Sequence, residues 1–71
     1  MAVEVTVGKV QKSSNSTSIM FNVNDSEAFI HILIEICVDR KSSVDAEIEA
    51  ARQQLVSFAD DFAQAARTKL T

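Results

Sequence analysis

The sequence predicts an α+β domain: a three-stranded antiparallel sheet followed by one long C-terminal helix, βββα, in a single domain over residues 1–71. Three observations carry this. Apolar residues alternate with period two through the first half, they step by three and four from Ser43 onward, and polar turn-forming clusters separate the segments.

Residues 2–12, "AVEVTVGKVQK", set Val3, Val5 and Val7 on one face and Glu4 and Thr6 on the other, the pattern of a half-buried strand. Val10 falls in the opposite parity. A bulge at Gly8 returns it to the valine face, and glycine is the usual residue for that geometry. "KSSNSTS", Lys12 to Ser18, reads as a flexible hairpin loop. Ile19, Phe21 and Val23 restore the alternation for a second strand, and "NDSE", Asn24 to Glu27, is the next turn.

"FIHILIEICV", Phe29 to Val38, admits two readings. Ser26 is placed to cap a helix with the stripe Phe29, Ile32, Leu33 and Ile36. Against this, Ile30, Ile32, Ile34, Ile36 and Val38 are all β-branched and of one parity, which favours a third strand. From Ser43, Val44, Ile48, Ala51, Leu55, Phe58, Phe62 and Ala66 mark one helix face. Ser42 or Ser43 caps the start, and Ser42 with Asp45 offers a capping box. Acidic Asp45, Glu47 and Glu49 and basic Arg67 and Lys69 each suit their end of the dipole. No proline or glycine interrupts residues 43–70.

The helix stripe is expected to cover the even face of the third strand, with the valine row of the first and Ile19, Phe21 and Val23 of the second. The odd face carries Phe29, Leu33 and Cys37 among His31, Glu35 and Asp39, and no second helix exists to cover it. The helix shows its own surplus, with Val56, Ala59, Ala63 and Leu70 widening the apolar arc. A small chain normally compensates for its thin core with disulfides, metals or oligomerisation. Its one cysteine forms no intramolecular bridge, and Cys37 with His31 falls short of four zinc ligands. A homodimer is therefore expected, with Phe29, Leu33, Cys37, Val56, Ala59, Phe62 and Ala63 at the subunit interface.

Chemistry finds little support. His31 and Glu35 share a strand face but stand ~13 Å apart along it, too far for a hydrogen-bonded pair within one chain. Cys37 has no cationic neighbour in sequence to lower its thiol pKa. Asp60 and Asp61 diverge by ~100° on a helix and do not chelate one ion together. No catalytic residue, metal or cofactor is expected. An enzyme site assembled across subunits from His31 and Glu35 is the remotest reading.

The net charge of −3 argues against a nucleic-acid partner. The order βββα is similar to part of a double-stranded RNA-binding domain, but those domains start their last helix with a lysine cluster. Here that position reads "SSVDAEIEA". A stacking surface on the sheet would have only Phe29 to offer. No apolar run reaches a membrane span of ~20 residues, and "MAVEVTVGKV" lacks the pattern of a signal peptide, so a cytoplasmic protein is expected. The functional expectation is a small non-enzymatic protein–protein interaction module working as a homodimer: a regulator, inhibitor or assembly adaptor, a profile that a phage or prophage accessory protein would fit. The alternative is a ligand-binding module with a pocket between helix and sheet or across the dimer, using His31, Glu35 and Cys37.

Overall fold

A computed structural model describes residues 2–69 and has the element order β1 (Val3–Lys12), β2 (Ser16–Asp25), β3 (Ile30–Asp39) and α1 (Val44–Lys69). The strands form one antiparallel sheet in the order β1-β2-β3, with α1 on one face. Leu70, counted above in the apolar arc, lies outside the described residues.

The bulge at Gly8 is present. Val7 pairs with Phe21 and Val10 with Ile19, so three steps on β1 oppose two on β2, and Val10 rejoins the valine face. Gly8 does not have a positive φ. A Cβ there would instead lie 2.3 Å from the Asn22 side-chain amide nitrogen, so room rather than backbone conformation favours glycine. The third segment is a strand, as its β-branched parity predicts. Ile32, Ile34 and Ile36 stand opposite Val23, Phe21 and Ile19.

Three boundaries differ from the sequence reading. The first hairpin loop is only Ser13 to Asn15, because β2 begins at Ser16 and Thr17 is buried opposite Val38. Serine and threonine there read as loop, but they sit within the ladder and close the core. The second turn is 26–29. In it the Asp25 carboxylate accepts the amides of Glu27 (3.0 Å) and Ala28 (3.1 Å). Phe29 belongs to this turn, not to the strand; its φ is 56° and it is 94 % exposed. Finally, Ser43 alone caps α1, its hydroxyl accepting the Ala46 amide at 3.2 Å. The Ser42–Asp45 box does not form, since the helix begins one residue later than that pairing requires.

The core sits at one end. Ile19, Phe21, Val38, Ala51 and Leu55 are buried, with Val10, Ile34, Ile36, Ile48 and Ala50 packed around them. From there α1 runs back antiparallel to β3. It packs over β3 and β2 and leaves β1 uncovered. At ~1.5 Å per residue it is ~39 Å long, longer than the ~33 Å of a ten-residue strand.

Candidate functional site

Burial falls away along every element from the core end to the far end. On β3, Val38 is buried, Ile36 and Ile34 are half-buried, and Ile32 and Ile30 are exposed. On α1, Ala51 and Leu55 are buried, whereas Phe58 and Phe62 are about half exposed at 47 % and 52 %. The even face of β3 is thus only partly covered by the helix, contrary to the expectation that one helix would cover it all. A single helix ~10 Å across does not blanket three strands spaced ~4.8 Å apart.

Open apolar grooves result on both flanks of α1. On the β1 side, one hollow of about 290 Å³ lies between Val5, Val7 and Phe21 and the helix residues Ile48, Leu55 and Val56, with Thr6 and Arg52 completing its lining. A second, of about 280 Å³, continues it toward the far end, between Val3, Val5, Val23 and Ile32 and the helix residues Ala59, Phe62 and Ala63. The two share Val5 and Leu55. On the β3 side a wider hollow of about 520 Å³ borders Ile32, Leu33 and Ile36, with Gln54, Phe58 and Phe62 above. The rings of Phe58 and Phe62 meet edge to face at 5.8 Å.

The surface area expresses the same incompleteness. The chain exposes 5332 Å², against ~4400 Å² expected for a compact 7.8 kDa monomer. Its radius of gyration is 13.7 Å, where ~11 Å is typical of a compact chain this long.

The predicted interface residues divide between two places. Val56, Ala59, Phe62 and Ala63 line the grooves. Leu33 and Cys37 project from the opposite face of the sheet, where β3 pairs them with Asn22 and Ser18, and Phe29 stands at the hairpin tip. That opposite face is largely polar: His31 is across from Asn24, and Ser18 donates a hydrogen bond to Glu35. Leu33 and Cys37 do not form an apolar row there, because Glu35 lies between them and their partners across the strand, Asn22 and Ser18, are polar. His31, Glu35 and Cys37 also lie on the face away from the main grooves by strand alternation, although Glu35, like Leu33, borders the β3-side hollow. Among the described residues, no group of three or more His, Cys, Asp or Glu is placed to hold a metal ion.

The residue that sequence reasoning missed is Glu47. It reads as one of three dipole-compensating acids, yet it is 1 % exposed. Its carboxylate accepts the Thr17 hydroxyl at 3.0 Å and the Lys41 amide at 2.8 Å, and Arg40 Nε approaches to 3.4 Å. Arg40 also donates to the Ser13 carbonyl at 2.8 Å, joining the first hairpin loop to the helix start. The Lys41 amide, then the Thr17 hydroxyl and the Arg40 and Lys12 charges, hold this carboxyl below its ordinary value, against the burial that works to raise it. A signal was available, since Glu47 lies four residues before Ala51 and eight before Leu55, on the buried side of the helix. A charge in an apolar stripe requires a partner. Among the described residues every buried side-chain polar atom has a hydrogen bond, so this network is satisfied within the chain. By contrast, Glu49 and Arg52 pair on the exposed side, an i,i+3 bridge worth little to stability.

The fold and its grooves define an open-faced two-layer βββα domain. No known family model, curated protein or solved structure matches this chain. No helix among the described residues is long and apolar enough to cross a membrane.

Proposed function

We propose that the chain is a small non-enzymatic protein–protein interaction module, acting as a homodimer in the cytoplasm as a regulator, inhibitor or assembly adaptor. One observation carries this reading: the ~900 Å² by which the surface exceeds that of a compact monomer. A standard interface removes ~800 Å² from each partner, so one protein contact accounts for the excess. The residues concerned are large and apolar, among them Val3, Val5, Phe58 and Phe62. Sedimentation equilibrium at micromolar concentration tests the homodimer, with twice the chain mass expected. A monomer throughout that range refutes it. Capture of a further stoichiometric partner by the tagged dimer would then identify what it regulates.

A second reading has its own observation. The far hollow of about 280 Å³ is walled almost wholly by valine, isoleucine, leucine, alanine and phenylalanine. It would suit a small apolar ligand such as a short alkyl chain. Few polar groups converge on it to fix an orientation, which binding sites for small molecules normally supply. Native mass spectrometry of the purified protein separates the two readings: a retained small molecule supports this one, an empty dimer the first.

A further inference from the structure

The two faces of the sheet are unequal, and the inequality locates the contact. The face away from α1 is largely polar, with Met20, Leu33 and Cys37 set among its polar residues. The face beneath α1 leaves Val3, Val5 and Val7 of β1 about half exposed, while Val10 packs against the core. Val3, Val5 and Val7 are 50 %, 50 % and 43 % exposed. The groove beside them runs along much of α1, floored by these valines and walled by Leu55, Val56, Ala59 and Ala63. Its width is set by the sheet. Three strands at ~4.8 Å spacing, with α1 over β2 and β3, leave about one helix width above β1 and its open edge.

We propose that the α1 helix of a second copy of this chain fills the groove over β1, an inference that rests on the homodimer reading and names its face. The occupant must be apolar, elongated and able to approach a helix closely. The flank Val56, Ala59, Ala63 on α1 has these properties, and its alanines allow helix axes to come within ~8 Å. The area agrees too, since the ~900 Å² surplus is close to the ~800 Å² each partner contributes to a standard interface.

Symmetry fixes the arrangement. Each helix lies on its own β2 and β3 and on the β1 of the other copy, so both helices share one layer between two sheets. A two-fold that exchanges the sheets while keeping the helices side by side runs along the helices. They are therefore parallel, and Val56, Ala59 and Ala63 each meet their own counterpart along the seam.

Disulfide trapping tests this. In a Cys37→Ser background, Val56→Cys, Ala59→Cys and Ala63→Cys are made singly and oxidised with copper phenanthroline at micromolar concentration. Leu33→Cys in the same background reports the opposite face. Circular dichroism confirms that each variant stays folded, and sedimentation gives its mass. Linked dimers at two or more seam positions, with little linkage at position 33, are the expected result. Linkage at one seam position alone means antiparallel helices and overturns the arrangement. A dimer linked only through position 33 overturns the inference and leaves the homodimer standing. A monomer by sedimentation removes the homodimer reading itself.

Discussion

Truncating Phe62 to alanine should weaken association about 1000-fold while leaving the chain less stable but folded. The ring is 52 % exposed in the single chain. An aromatic side chain offers ~200 Å², so ~100 Å² remains for a partner to cover. At ~25 cal/mol per Å² that area is worth ~2.5 kcal/mol, and alanine retains a small part, leaving ~2 kcal/mol per site. A two-fold uses the residue twice, so the dimer loses ~4 kcal/mol and its Kd rises ~1000-fold. Within the chain, the half of the ring already buried is lost too, ~2 kcal/mol by the same arithmetic, with ~1 kcal/mol more for the edge-to-face contact with Phe58. A chain of this length has ~4–10 kcal/mol of stability to draw on, so a folded variant is expected. Sedimentation velocity over a concentration series measures the Kd, with far-ultraviolet circular dichroism on the same samples. A variant that keeps its helical signal and dissociates within tenfold of the parent refutes placing Phe62 at the interface.

Three further changes probe the single chain. Glu47→Gln should lower the thermal midpoint at pH 7. The folded carboxyl is held below its ordinary 4.5, so its contribution is complete above that value and is lost as the pH falls through the lower folded value. The gap between parent and variant should therefore close under acid conditions, and a gap constant from pH 7 to pH 3 would count against the clamp. Gly8→Ala should be nearly neutral, within about 1 kcal/mol by urea titration. The side chain in its way is the tip of Asn22, which can turn aside, and alanine lowers the entropy of the unfolded chain; a loss of 3 kcal/mol would mean that the bulge cannot adjust. Phe29→Gly should raise stability by up to about 1 kcal/mol, because the left-handed φ of 56° costs a non-glycine residue and the exposed ring buries almost nothing. A less stable variant would show that the ring packs on something.

Much of the fold was legible because period and parity are local properties. Val10 breaking the odd-numbered valine row announced the bulge, and five β-branched residues of one parity decided for a third strand. Ser16 and Thr17 were misread because composition alone does not reveal that a hydroxyl will meet a carboxylate thirty residues away. The open apolar surface was half legible. Counting apolar residues found the helix flank, but alternation says only which residues share a face and not how much of that face one helix covers. Leu33 and Cys37 were placed at the expected interface from strand parity alone, which does not reveal that register sets Asn22 and Ser18 across from them. Register depends on where the hairpin turns, and both turns sit differently from their sequence reading.

The Glu47 clamp and the Ser43 cap both act on the opening turns of α1, while Phe58 and Phe62 farther along are about half exposed over open hollows. The helix is thus built as a cantilever, fixed at its root and only partly supported along its outer half. Its first turns draw on tertiary packing, but the outer turns in a lone chain depend on intrinsic helix propensity, which is marginal for so short a segment. Amide exchange should then be slow around Ala51 and fast around Ala63 when the protein is dilute. Docking of the outer half would slow it, so the ordering of that half becomes a readout of concentration. A substitution at Thr17, on the far side of the core, would alter the same readout by loosening the root on which the beam is mounted.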